Sequence, residues 1–106
     1  MRFNDRHRVI QIKYRLKAIN ALIKYAQSPK TINVITQDYI TSGKSRVKEA
    51  VRELYGLRYL RRFPPNTYVV EDKSALYRHS MELIDEWEQI DPQAVEAYLT
   101  QDQIEV

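Results

Sequence analysis

The sequence predicts a mainly α-helical domain with one small β-hairpin, which is an α+β fold. Apolar residues recur at spacings of three and four in two long segments, about 8–27 and 74–89, as they do along one side of a helix. Two short runs of β-branched and aromatic residues, 59–63 and 67–70, flank a Pro-Pro-Asn turn in which neither proline can donate to a strand ladder. A chain of 106 residues suffices for one domain with its own core.

Charge is divided unequally along the chain, although the overall net charge is only +3. Residues 1–62 contain 15 Lys and Arg against 4 Asp and Glu, a net of +11. Residues 63–106 contain 2 against 10, a net of −8. The first part is therefore suited to binding a polyanion, and the second part is not.

Several kinds of protein are not expected from this composition. The absence of cysteine excludes disulfides and thiolate metal sites. No run approaches the roughly 18 apolar residues needed to span a bilayer. The first residues lead into charged periodic sequence, which differs from a secretory signal. We expect a cytoplasmic domain with no metal, no cofactor and no membrane partner, and no small-molecule ligand can be inferred.

Motifs that suggest an enzyme are incomplete. The Ser-Gly-Lys-Ser segment at 42–45 ends like a phosphate-binding loop, but the full pattern requires a glycine where Asp38 stands. His7 and His79 are the only histidines, and they do not form a ligand-spaced cluster. The carboxylates between 82 and 88 are typical of the outer face of a charged helix. We therefore expect no enzymatic activity.

The first helix is predicted at about 8–27. Its apolar stripe consists of Val9, Ile12, Leu16, Ile19, Ile23 and Ala26. Apolar and polar residues also alternate over 10–17, which is typical of a strand, so residues 8–16 could be either. Ser28-Pro29 ends the helix, because the residue before a proline avoids the helical conformation.

The next segment predicts a short strand, a short helix and a turn. Residues 31–34 are the candidate strand. Thr36 is expected to cap a brief helix that runs through Ile40, its hydroxyl accepting from free amides. Thr-Ser-Gly at 41–43 is the predicted turn, with Ser42 as the cap of the helix that follows.

A basic amphipathic helix is predicted from Lys44 to about Leu54. Its apolar face consists of Val47, Ala50, Val51 and Leu54, and its opposite face of Ser45, Lys48, Glu49 and Arg52. Basic residues on such a helix are often only a solvated face. Seven of them between 44 and 62, with only two carboxylates among them, favour a binding site for a polyanion.

The acidic C-terminal part predicts a second long helix and a restart. Asp91 is expected to cap the last helix, with Pro92 in its first turn. The stripe of the long helix either covers the first helix or pairs with a second copy. We predict dimerisation through Leu76, Leu83, Trp87 and Ile90.

The predicted elements, taken in order, resemble the winged helix-turn-helix superfamily of DNA-binding proteins. They are a helix, a short helix, a turn, a basic helix, a two-stranded wing and a terminal helix. The resemblance covers about residues 16–87, and its most specific part is 47–54, Val-Lys-Glu-Ala-Val-Arg-Glu-Leu, followed by Tyr-Leu-Arg-Arg at 59–62. The family usually has a glycine just before the first wing strand. Arg58 stands there, and Gly56 lies two positions earlier, so the end of the helix could shift by two residues.

The resemblance implies a sequence-specific double-stranded DNA-binding protein, a small homodimeric transcriptional regulator of the repressor type. Helix 44–55 would enter the major groove, and 59–70 would be the wing. Residues 1–72 would form the DNA-binding region, and 73–106 an acidic helical region of the same domain. The DNA-binding residues are expected to be Ser42, Lys44, Ser45, Arg46, Lys48, Glu49, Arg52, Arg61, Arg62, Asn66, Thr67 and Tyr68.

These residues are expected to have different partners on DNA. Lys48 and Arg52 would face the groove, where arginine can bind guanine O6 and N7 together. Lys44 and Arg46 are better placed for phosphate. Glu49 would accept from cytosine N4 or orient a neighbouring arginine. The two wing arginines and the turn residues would approach the backbone or the minor groove.

Other functions fit the same pattern. A winged-helix protein-interaction module would use the basic face to bind an acidic partner. A plasmid or viral replication or partition accessory would bind DNA without regulating transcription. A single-strand or RNA binder would stack bases on tyrosines of this region, although half-buried tyrosines are the simpler explanation. Those tyrosines are Tyr39, Tyr55, Tyr59 and Tyr68.

Overall fold

The computed structural model of the protein describes the backbone of residues 3–104 and the side chains of 4–40 and 43–100. Its elements are α1 (Phe3–Ile23), β1 (Lys30–Thr31), α2 (Ile32–Ile35), α3 (Thr41–Gly56), β2 (Arg61–Phe63), β3 (Thr67–Val69), α4 (Lys73–Ile90) and α5 (Pro92–Ile104). The chain is mostly helical and has one three-stranded antiparallel sheet with the order β1-β3-β2. The predicted α+β class is confirmed.

The ambiguous N-terminal segment is entirely helical. α1 begins five residues before the predicted start and ends at Ile23, before the predicted end at 27. Val9, Ile12 and Leu16 are buried, so the helical stripe and not the alternation describes this segment. Burial of one continuous stripe against α3 and α4 decides between the two patterns.

Capping in the next segment differs from the prediction. Thr31 and not Thr36 is the N-cap, and its hydroxyl accepts from the Val34 amide at 3.3 Å. Residues 32–34 therefore lie in α2 where a strand was predicted, and of the predicted strand only Thr31 lies in a strand, β1. Thr36 is fully buried at the C-terminal end of α2, where its hydroxyl donates to the Ile32 carbonyl at 2.8 Å. Threonine can serve either end of a helix, so the sequence alone placed this helix five residues too late.

The predicted turn at 41–43 is also wrong. α3 already begins at Thr41, and its N-cap is Ile40, which makes no side-chain capping bond. Ser42 is thus inside the first turn and is not the cap; its side chain lies outside the described residues. The predicted buried face is confirmed, since Val47, Ala50, Val51 and Leu54 are at most 1% exposed.

The C-terminal helices agree with the sequence. α4 begins at Lys73 and is capped by Asp72, and Asp91 caps α5 by accepting from the Ala94 amide at 3.3 Å. α4 packs against both α1 and α5. No helix within residues 3–104 has the length and hydropathy needed to cross a membrane.

The predicted dimer contacts are core residues of one chain. Leu76, Leu83 and Trp87 are 0%, 1% and 2% exposed, and Ile90 packs against the same core. The first three have almost no accessible surface with which to contact a second copy of the folded chain, whereas Ile90 is half-buried. The stripe therefore covers the protein's own core, which was the other possibility for this pattern.

Candidate nucleic-acid interface

The outer face of α3 has a stripe of basic residues. Lys48 and Arg52 lie one turn apart, and Tyr55 continues the same stripe three residues later. Arg52 is exposed and Lys48 is half-buried. Among the side chains that the structure describes, no carboxylate lies within ion-pair distance of either cation. Their charge is therefore available to an external anion.

Other predicted residues of α3 lie beside this stripe. Ser45 is exposed, and Lys44 is half-buried near the start of the helix. Arg46 lies on the flank next to α1, where its guanidinium is 5.5 Å from the centre of the Tyr14 ring. Lys17 approaches the same ring at 4.9 Å. Arg46 thus belongs to the junction of α1 and α3 more than to the centre of the exposed face.

The two carboxylates of α3 differ in their surroundings. Glu53 accepts from the Gln11 amide at 2.9 Å and pairs with Arg15 at 3.5 Å, so its charge is used within the protein. Glu49 is exposed on an open groove between α1 and α3. In the described part of the chain, neither Arg46 nor Arg52 forms an ion pair with it. Glu49 was expected to orient a neighbouring arginine, and these contacts do not include such a pair.

The two arginines of the hairpin face opposite sides of the sheet, because successive side chains of a strand alternate. Arg61 pairs with Glu71 at 2.9 Å and lies 5.0 Å from the ring of Phe63, two residues along the same strand. Arg62 lies 5.2 Å from the centre of the Tyr55 ring, at the end of α3. Only Arg62 is therefore continuous with the basic stripe of α3.

Tyr55 joins the helix to the hairpin and was missing from the predicted site. Its side chain is 38% exposed, and its ring meets the ring of Tyr68 edge-on at 5.9 Å. The sequence does indicate that Tyr55 lies on the same face of the helix, since position 55 follows Lys48 and Arg52 at helical spacing. Its contact with Arg62 could not be foreseen, because it depends on how the hairpin packs against the helix.

The residues at the turn of the hairpin are less accessible to an external ligand than predicted. Tyr68 is 4% exposed, so the prediction that it approaches DNA is wrong. Asn66 and Thr67 are half-buried, and the Asn66 carbonyl accepts from the Ile32 amide at 2.8 Å. β1 also pairs with β3, opposite Thr67. These bonds hold the hairpin against the start of α2.

The tyrosines do not form an exposed row. Tyr68 is buried, and Tyr59 stacks on His79 with 4.5 Å between the ring centres. The Tyr39 hydroxyl donates to the Lys17 carbonyl at 3.3 Å. Tyr55 alone of the four is exposed. A platform for several stacked bases is therefore not available here.

A polar network fixes α3 relative to the other helices. Arg8 of α1 donates to both carboxylate oxygens of Glu86 on α4 and also to Gln11. The hydrogen bonds between Arg8 and Glu86 raise the pKa of Arg8 and lower the pKa of Glu86. Gln11 in turn donates to Glu53 of α3. The chain of contacts joins α4, α1 and α3, and so sets the orientation of the basic stripe.

Comparison with protein-family models, with characterised proteins and with solved structures found no match to this chain. Among the side chains described, no group of three or more His, Cys, Asp or Glu lies together as a metal site would require.

Proposed function

We propose that this protein binds double-stranded DNA through the outer face of α3 and the β2–β3 hairpin. The observation on which the proposal rests is the continuity of Lys48, Arg52 and Arg62 across two elements, with no carboxylate paired to any of them among the described side chains. α3 has 16 residues and one exposed face, which fits the major groove, where arginine and lysine bind base edges or phosphates.

The order of elements supports a winged helix-turn-helix arrangement. A helix, a strand and a short helix precede α3, and a hairpin follows it with β3 between β1 and β2. In this arrangement α3 is the recognition helix and the hairpin is the wing. The protein would then act by occupying its site, as a small regulator of the repressor type does.

A direct test is fluorescence anisotropy with random duplex DNA, single-stranded DNA and RNA over a range of salt concentrations. Duplex binding should weaken with salt, with a log-log slope of several units, because each neutralised phosphate releases about 0.9 counterions. Selection of a preferred site should follow, and Arg52→Ala should then lose preference at one base position. Failure to bind duplex at low salt would end the proposal and favour the protein-interaction module.

A homodimer remains part of the proposal, with contacts other than the buried stripe. Tyr77 and Met81 are exposed large apolar side chains one turn apart on the outer side of α4. If this face pairs, sedimentation should show a dimer, and Met81→Lys should convert it to a monomer, because an unpaired charge buried in an interface is costly. A monomer for the unchanged protein would exclude this interface.

A further inference from the structure

Arg61 and Arg62 are adjacent but differ in their availability to an anion. The charge of Arg61 is partly neutralised by Glu71, at 2.9 Å. Arg62 is exposed and lies over an aromatic ring, with no described carboxylate at ion-pair distance. Of the two, Arg62 is the residue that an added anion would meet as an uncompensated cation.

Arg62 is the outermost of three side chains that pack on one another, and the innermost, Tyr68, lies in the core. Tyr68 is buried in β3 and is the cross-strand partner of Arg62. The rings of Tyr68 and Tyr55 pack in a T-shaped arrangement, and the guanidinium of Arg62 lies over Tyr55. Tyr55 is therefore held from the inside by Tyr68, and it supports Arg62 on the outside.

An aromatic ring affects a guanidinium in a specific way. The ring attracts the flat side of the cation through its quadrupole and leaves the N–H groups at the edge free to donate. Those groups match the oxygens of a phosphate, which arginine binds with two parallel hydrogen bonds. Holding the side chain beforehand also reduces the conformational entropy lost when the phosphate binds.

We propose that Tyr55 and Arg62 form a phosphate-binding unit at the junction of α3 and the hairpin. Tyr55 is the positioning residue, Arg62 donates to one phosphate of a duplex bound along α3, and Arg61 takes no part. This inference rests on the proposed function, and it adds which arginine of the wing binds the backbone and what orients it.

The test compares salt slopes of duplex binding for single and double variants at a temperature where all are folded, as checked by circular dichroism. Arg62→Ala should weaken binding roughly three- to tenfold and lower the slope by about one unit, the loss of one phosphate contact. Tyr55→Leu should give a loss in the same direction, whereas Tyr55→Phe should bind like the unchanged protein, because it keeps the ring. The double variant Tyr55→Leu with Arg62→Ala should bind no more weakly than Arg62→Ala alone.

Arg61→Ala is the matched control, since it removes the same charge one position away. We expect its slope to be unchanged. An equal loss for Arg61→Ala and Arg62→Ala would overturn the assignment, and so would additive losses in the double variant. These outcomes presuppose duplex binding by the unchanged protein. If that protein does not bind duplex, the proposed function fails, and the phosphate-binding unit fails with it.

Discussion

The amide of Tyr59 donates to the carbonyl of Leu54 at 3.0 Å and closes the end of α3 around Arg58, whose φ is 70°. The Arg58 amide donates to the Tyr55 carbonyl at 2.9 Å inside this loop. The two bonds form a Schellman motif, in which the residue after the helix takes the left-handed conformation. Glycine favours that conformation, and a residue with a Cβ is strained in it. α3 itself ends at Gly56, two residues beyond the predicted end at Leu54, so the expected shift of the helix end is observed, and Arg58 is the residue that takes the left-handed conformation.

Replacing Arg58 by glycine should stabilise the protein. Removal of the strain outweighs the greater entropy of glycine in the unfolded chain, and we expect a gain of about 0.5–1 kcal/mol in the free energy of unfolding. This gain is measured by urea denaturation, with unfolding monitored by circular dichroism. Arg58→Ala is the control, since it removes the same side chain but keeps the Cβ and should give no gain. A gain of equal size in both variants would show that the charge and not the backbone conformation is responsible.

Trp87 should contribute to folding and not to association. Trp87→Ala removes a ring that is 2% exposed and in contact with Tyr98, with 5.2 Å between the ring centres. Such a truncation costs about 3–5 kcal/mol, a large part of the stability of a small domain. Thermal denaturation should therefore show a much lower Tm, and Trp87→Phe a smaller decrease. If Trp87→Ala kept the original Tm and only reduced the sedimenting mass, the assignment of this residue to the core would be wrong.

Glu53 and Glu49 should respond differently to removal, although both are carboxylates of α3. Glu53→Ala leaves Gln11 without its acceptor and Arg15, whose side chain is only 11% exposed, without its ion-pair partner. We expect a loss of about 1–3 kcal/mol in the free energy of unfolding. Glu49→Ala should change that free energy by less than about 0.5 kcal/mol. It should also tighten duplex binding, because a negative charge beside the basic stripe is removed. Equal stability of the two variants would contradict the network between α1 and α3.

Acid should destabilise the protein through His79. Burial lowers the pKa of this histidine, and the nearby positive charges of Arg15 and Arg8 lower it further, whereas Glu82 raises it. The unfolded chain, with a histidine pKa of about 6.5, then binds a proton more readily than the folded chain. This contribution to stability is fully present above about pH 6.5 and is lost as the pH falls below it towards the folded pKa.

The measurement is urea denaturation at about pH 7.5 and pH 5.5 for the unchanged protein and for His79→Phe, which keeps a ring to stack on Tyr59. The unchanged protein should lose more stability between the two pH values than the variant does. His7 is present in both and cancels in the comparison. The same loss in both proteins would mean that His79 titrates as it does in the unfolded chain.

The sequence predicted the parts of the fold that depend on one periodic pattern. α3 and α4 each have a single apolar stripe, and spacing alone predicted both stripes. The structure buries both, although the α4 stripe was expected to contact a second copy and covers the protein's own core instead. α1 contained two patterns over residues 10–17, and only its packing against two other helices decides between them. The element bounds around Thr31 and Thr36 failed because both threonines can cap a helix and the local sequence does not distinguish them.

The sequence predicted which residues belong to the candidate site better than it predicted how their side chains are arranged. The basic stripe followed from helical spacing, but the difference between Arg61 and Arg62 depends on which face of the sheet packs against α3. Tyr68 was predicted at the surface because it follows a turn. The structure instead buries it against Tyr55, a contact between residues thirteen positions apart that no local pattern contains.

Binding of duplex DNA by the outer face of α3 can be tested with two double variants, one on α3 and one on α4. The double variant Lys48→Ala with Arg52→Ala should be titrated with random duplex at low salt beside Lys73→Ala with Arg78→Ala, which removes two exposed cations from α4. Both variants lose the same net charge. We predict that the α3 variant loses most of the affinity and about two units of salt slope, while the α4 variant binds nearly as the unchanged protein does. Equal losses in the two variants would mean attraction by net charge alone, and would contradict an interface on α3.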